Sequence, residues 1–258
     1  MQSILYEIRN GVAIITFNRP EKFNAFNREM GLELQKILDE AASAAEVRSI
    51  LITGKGKAFC AGQDLGELTG ENAPSFEEIL VTLYNPLVRR IRNIPKPVLC
   101  AVNGVAAGAG ANLAIACDIV VARESASFIQ AFSKIGLIPD CGGSFFLPRL
   151  IGWQKASALM MLGDKLSAGE AERLGMIYKV LPDNGFEEEA LGIAERLSQL
   201  PTRGLAYTKQ ALNASQGRSL EEQLDLENQL QQAAAATLDY SEGLHAFLEK
   251  RNPVFTGE

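Results

Sequence analysis

Two short segments near the amino terminus, Ile4 to Arg9 and Val12 to Phe17, alternate apolar with polar residues around Asn10-Gly11. Period-two alternation marks half-buried strands and Asn-Gly is a favoured two-residue connector, so the pattern predicts a β-hairpin. From Asn27, a residue type suited to an N-cap, apolar positions recur at helical spacing (Met30, Leu34, Ile37, Leu38 and Ala41). A buried strand is expected at Ser49 to Thr53, then a Gly54-Lys55-Gly56 turn. The polar, glycine-bearing segment Gly66 to Ser75 reads as a mobile surface loop, and a helix from about Phe76 to Arg92 stops at Pro95. Strands follow at Val98 to Val102, Ile119 to Ala122 and Ser127 to Phe128. This alternation argues an α/β fold. From Trp153 the pattern is mostly helical, with one short strand near Tyr178 to Leu181, and Thr202 to Lys250 reads as helical throughout. Leu220, Leu224, Leu226 and Leu230, with alanines 233–236 behind them, form an apolar face that the rest of the chain is too short to cover, so subunit contacts are expected.

The run from Pro97 to Asp118, PVLCAVNGVAAGAGANLAIACD, reads as a buried strand that breaks into a helix through small residues only. A helix opening there points unpaired N–H groups and its positive dipole end forward, which suits a developing anion; close packing of a core helix on a sheet is the alternative reading. A dinucleotide fingerprint counted from Gly108 and Gly110 fails at its third glycine, where Leu113 stands. In KAFCAGQD (residues 57–64), Gly62 and Gln63 follow the strand Ser49 to Thr53, so a second backbone segment is expected to offer an N–H at the carboxyl end of that strand.

The 258 residues suffice for one large α/β domain or a domain with an appendage, and 47% hydrophobic content supports a substantial core. A net charge of −6 opposes binding to nucleic acid, which demands a basic patch. Neither a membrane span nor an export signal is evident, and the four cysteines, Cys60, Cys100, Cys117 and Cys141, lie in apolar or glycine-rich segments without C-x-x-C spacing. A cytoplasmic protein with reduced, buried thiols is expected. Arg89, Arg90 and Arg92 read as a solvated helix face, and Lys250-Arg251 as a possible phosphate contact. The only histidine, His245, is far from any nucleophile turn.

Four separated stretches, KAFCAGQD, the Pro97 to Asp118 run, IGLIPDCGG and the tail FLEKRNPVFTGE, together resemble the enoyl-CoA hydratase/isomerase (crotonase) family from about Ile4 to Phe255. The resemblance implies a spiral core of ββα units (residues 1–200) and a carboxy-terminal helical region (201–258) that trimerises, often as paired trimers, and touches CoA. It further implies an acyl-CoA thioester substrate, no metal or organic cofactor, no nucleic-acid or membrane partner, and an oxyanion hole formed by the main-chain N–H groups of Gln63 and Ala109. CoA contacts are implied along the loop Arg19 to Phe26, with Lys22 and Ala25, and at Ala61, Asp64, Phe247 and Lys250; solvated surface lysines are the alternative for Lys22 and Lys250.

Where hydratases of this family carry two glutamates, the chain has Asn112 and Phe132, which makes simple hydration improbable. Asp140 remains as the acid–base candidate. It stands before Gly142-Gly143 at the start of an expected helix, Gly143 to Leu150, so an N-cap role and a base role are both open. Ile138, Phe145 and Phe146 are apolar neighbours able to raise its pKa, and the helix dipole opposes them. The resemblance implies an isomerase that abstracts a proton α to the thioester, acting on a ring epoxide of a phenylacetyl thioester. Alternatives are a Δ3-Δ2 enoyl-CoA isomerase, a hydratase-like enzyme or a non-catalytic homologue.

Overall fold

The computed structural model describes residues 2–69 and 73–258; Gly70, Glu71 and Asn72 of the expected Gly66 to Ser75 loop lie outside the described residues. The strands are β1 (Ile4–Arg9), β2 (Val12–Phe17), β3 (Ser49–Gly54), β4 (Ala58–Cys60), β5 (Val98–Val102), β6 (Val105–Ala107), β7 (Ile119–Arg123), β8 (Ser127–Ile129), β9 (Lys165–Ser167) and β10 (Lys179–Leu181). The helices are α1 (Arg28–Ser43), α2 (Phe76–Ile79), α3 (Asn85–Asn93), α4 (Ala109–Ile115), α5 (Gly143–Ile151), α6 (Trp153–Leu162), α7 (Ala168–Arg173), α8 (Phe186–Ser198), α9 (Thr202–Ser215), α10 (Leu220–Ala235) and α11 (Leu238–Glu249).

β1 and β2 form the expected hairpin, with Asn10 and Gly11 both at positive φ. They open a six-stranded sheet in the order β1-β2-β3-β5-β7-β10, parallel from β2 onward. Its central strands are buried on both faces, which explains their unbroken apolar sequence. Ile50, Ile52, Val98, Cys100 and Val102 join the larger core with Met30 and Leu34 of α1 and Leu87 and Ile91 of α3. The alternate residues Leu51, Leu99, Ala101 and Val121 pack on Phe186, Ala190 and Ala194 of α8. Asn27 caps α1 through a side-chain bond from the Met30 N–H.

A second sheet, β4-β6-β8-β9, changes where the site sits. β4, β6 and β8 are parallel, so residues 61–63, 108–109 and 130–132 all leave from one edge, the carboxyl ends of three neighbouring strands. Gly62 and Gln63 therefore follow β4, not β3. β4, β6 and β9, three residues each, carry too little pattern to be read from sequence, whereas β8 and β10 stand where strands are expected at Ser127 to Phe128 and near Tyr178 to Leu181; β9 interrupts the stretch after Trp153 that reads as helix.

The single helix expected over 76–92 is broken by a π-helical turn at Leu80–Tyr84, which turns Leu83 and Tyr84 inward. Arg92 is not solvated: its guanidinium pairs with Asp118 at 3.0 Å and donates to Asn213 on α9. Asp118 also receives Lys209 of α9 at 2.7 Å, so a buried cluster ties α9 to the sheet. On α10, Leu226 is buried while Leu220 and Leu224 are exposed, which removes Leu226 from the expected outer face. Arg251 is held by Glu242 and Glu249. No helix of the described residues is long and apolar enough to cross a membrane.

Candidate active site

Gly62 and Gln63 are held by a short parallel bridge to the loop before α1. The Phe26 N–H donates to the Gly62 carbonyl at 2.7 Å, and the Asp64 N–H donates to the Phe26 carbonyl at 2.8 Å. Gly62 has φ +90°, and a Cβ there would lie 3.0 Å from the Ala107 carbonyl oxygen and 3.5 Å from the Ala109 nitrogen. Glycine thus lets the two segments close on each other. The neighbouring N–H of Gln63 lies outside this ladder, and that of Ala109 sits in the first turn of α4, where helix N–H groups have no intrahelical acceptor.

These two residues open on a cavity of about 200 Å³. Its walls are mainly apolar: Leu65, Leu68, Phe76, Ile79, Leu80 and Leu137, with Phe132 at the base. Among the described lining residues, Asp140 is the single carboxylate and Lys134 the single cation. Tyr84 donates its hydroxyl to Oε1 of Gln63, and burial raises its pKa well above the usual phenol value, so it keeps its proton.

Asp140 does not cap α5. That position belongs to Gly142 at φ +75°, preceded by Cys141 at φ +49°, an unusual conformation for a residue with a Cβ. These two left-handed residues turn the chain between Asp140 and α5. Burial lifts the Asp140 carboxyl to about 6, against lowering hydrogen bonds from Cys141 and its own backbone, and Oδ1 is buried without a partner. Desolvation prevails over the helix end, but Ile138 has no part in it, being 82% exposed. The desolvating surroundings are the cavity walls, Phe132 and Leu137 among them.

Behind Asp140, Asn112 of α4 is fully buried, donates through Nδ2 to the Asp140 carbonyl at 2.9 Å, and accepts from Gln130 Nε2 at 2.8 Å. Gln130 and Tyr84 have no signal in the chain's periodicity; only the placement of their loops brings them in.

The structure brings Ala61, Gln63, Ala109 and Asp140 together around the cavity, with Ala25 beside it in the loop that hydrogen-bonds residues 61–64. Asp64 pairs with Arg19 at 2.8 Å, which holds its carboxyl below the usual range, and Arg19 also donates to the Ala25 carbonyl. Lys22 lies in a 3-10 turn of the same loop. Phe247 lines a different cleft with Tyr240, Leu244 and Phe255, and Lys250 ends α11; neither lines the cavity. His245 is exposed on α11.

Residues 7–258 match the family model described as enoyl-CoA hydratase/isomerase. The chain is 48% identical to the 1,2-epoxyphenylacetyl-CoA isomerase of Escherichia coli K12 over 262 residues, covering all of both chains. It is 35% identical to the 2,3-dehydroadipyl-CoA hydratase of the same organism, again over all of both. The crystal structure of an enoyl-CoA hydratase from Bacillus anthracis superposes with a TM-score of 0.92 at 35% identity over the full length of each. A family model that spans nearly the whole chain, and a superposition that includes both sheets and the carboxy-terminal helices, make this chain a member of the enoyl-CoA hydratase/isomerase family.

Proposed function

We propose that the protein is an acyl-CoA isomerase that works by removing a proton α to the thioester carbonyl. The observation that carries this reading is that Asp140 is the single carboxylate among the described residues lining the cavity, while the two hydratase positions hold an amide, Asn112, and a phenyl ring, Phe132. Hydration needs a group to position and activate water, and neither side chain does so at neutral pH.

In the proposed reaction the Asp140 carboxylate takes the α-proton, and the electron pair moves onto the thioester oxygen. The N–H groups of Gln63 and Ala109 hold the resulting enolate, each contributing on the order of 3 kcal/mol to the barrier. Protonated Asp140 then returns its proton at the γ carbon, moving a 3,4 double bond to the 2,3 position. For a ring epoxide, breaking the carbon–carbon bond within the epoxide expands the ring to an oxepin, and Asp140 moves the α-proton to a ring carbon γ to the thioester carbonyl, so substrate and product remain isomers.

The apolar walls suit an aromatic acyl group, and the relative at 48% identity favours 1,2-epoxyphenylacetyl-CoA and its oxepin product. A Δ3-Δ2 shift on aliphatic thioesters is the second reading, supported by the same apolar walls. CoA is proposed to lie along Lys22, Ala25, Ala61 and Asp64. Exposed Leu220, Leu224, Leu238 and Phe247 are proposed to pack between copies in a trimer or pair of trimers, which is how Phe247 and Lys250 would meet a neighbour's CoA. A cytoplasmic setting accords with four free, buried cysteines.

Turnover of a 3-enoyl-CoA and of crotonyl-CoA at matched enzyme concentration tests the reading. Isomerisation of the first is expected to exceed hydration of the second by at least about a hundredfold. Hydration at a competitive rate sinks the isomerase assignment.

A further inference from the structure

We infer that Asn112 and Gln130 are a positioning pair that fixes the distance between the enolate-holding amides and the base, an inference that rests on the proton-abstraction reading above. Asn112 lies one turn after Ala109 on α4, so the two share a rigid helical segment. Through Nδ2, Asn112 reaches across to the main-chain carbonyl of Asp140, while the Gln130 amide holds its other end. Two of these three segments are joined a second time by the main chain, where the Gly108 N–H donates to the Ile129 carbonyl at 2.9 Å. The Gly143 N–H also donates to the Asp140 carbonyl, at 2.8 Å. A Cβ on Gly143 would overlap the Asn112 side chain, so α5 can start there only because the residue facing the amide is glycine.

The pair is costly in other respects. Gln130 Oε1 is buried without a hydrogen-bond partner, a deficit that an apolar side chain would avoid. Its Nε2 nevertheless serves Asn112, which orients that amide so that Nδ2, not Oδ1, faces Asp140. The Cys141 and Gly142 backbone leaves Asp140 on a left-handed turn, a segment whose direction needs an external anchor. Asn112 supplies it from the helix that carries one of the two enolate donors. Being shielded from solvent and bonded at both ends, its amide also offers water no seat where a hydratase has a carboxylate.

The test is deuterium exchange into phenylacetyl-CoA, compared among wild type, Asn112→Ala, Gln130→Ala and the double variant, with a thermal melt on each. Because the pair acts through Asp140, the exchange kcat is expected to fall about 10- to 100-fold for Asn112→Ala and about 3- to 10-fold for Gln130→Ala, with KM within about twofold of wild type. The double variant is expected to be no slower than Asn112→Ala alone, since both substitutions break one strut. Gln130→Ala leaves the buried α4 residue in place and keeps the test valid if Asn112→Ala folds poorly. Folded variants with wild-type kcat, or losses that multiply in the double variant, overturn the inference. Exchange absent from wild type overturns the proton-abstraction reading itself and the positioning role with it.

Discussion

The hydroxyl of Tyr84 donates to Oε1 of Gln63 at 2.5 Å, joining the π-helical turn that walls the cavity to the residue whose main-chain N–H is proposed to hold the thioester oxygen. Gln63 Nε2 in turn donates to Glu67 at 3.3 Å, so the side chain is held at both ends and the peptide behind it is fixed. Phe26 packs edge-on against the Tyr84 ring, which keeps the phenol in register.

Tyr84→Phe preserves that ring packing and removes only the donor. Looser placement of the Gln63 amide is expected to lower kcat/KM about tenfold, and the lost buried hydrogen bond, about 1 kcal/mol, to lower the melting temperature by about 2–4 °C. Steady-state kinetics on the two proteins checks this, and a change below about twofold removes Gln63 positioning from the account.

The raised Asp140 pKa has consequences for rate and for stability. The base must be ionised, so turnover is expected to rise with pH through about 6 and to level off above it. For stability the sign is opposite: above about pH 3.9 the unfolded chain gives up a proton that the fold still holds, so stability falls between about pH 4 and 6. At pH 8 the ionised group destabilises the fold by up to about 3 kcal/mol. Asp140→Asn is therefore expected to melt several degrees higher than wild type at pH 8 and no higher near pH 3.5. An unchanged melting temperature at pH 8 contradicts the desolvated carboxylate.

Lys209 is buried, and loss of solvation lowers its pKa even though Asp118 stabilises its charge. It also donates to the carbonyls of Ile91 and Lys96. Lys209→Met keeps the stem and leaves those acceptors and part of Asp118 unpaired. A loss of about 3 kcal/mol is expected, or roughly 6 °C in melting temperature, while the surviving fold retains its kcat. Equal stability of variant and wild type means that α9 is not anchored through this cluster.

The exposed Leu220, Leu224, Leu238 and Phe247 call for a partner surface. Light scattering on the intact chain is expected to give three or six copies per particle. A monodisperse monomer rules out the proposed packing.

Long periodic segments are legible in the sequence: the hairpin around Asn10-Gly11, α1 with its Asn27 cap, and the buried strands β3, β5 and β7 each bury a face wide enough to leave a pattern. Of the second sheet only β8 is legible, as the strand expected at Ser127 to Phe128. β4, β6 and β9 are three residues each, and their pairing is set by chain crossovers rather than local preference. The small residues around Gly104 and Gly110 point to a close backbone approach, and a Cβ would overlap the Lys57 carbonyl oxygen at the first and that of Cys60 at the second. Gln130 and Tyr84 carry no such signal, since a polar residue in a loop and an aromatic in a helix look like solvent contact and core; the π turn sets Tyr84 in the cavity wall, and β8 sets Gln130 against Asn112. Asp140 was legible as a candidate, but a cap and a base share the same sequence signature. The two left-handed residues after it decide between those readings.

The central claim is that Asp140 removes a proton α to the thioester, and its most direct test is deuterium exchange into phenylacetyl-CoA by wild type and Asp140→Asn, with no added cofactor. Wild type is expected to exchange the α-protons, and the variant to do so about two to four orders of magnitude more slowly while binding the thioester with similar affinity. Exchange by Asp140→Asn at near wild-type rate would contradict the account.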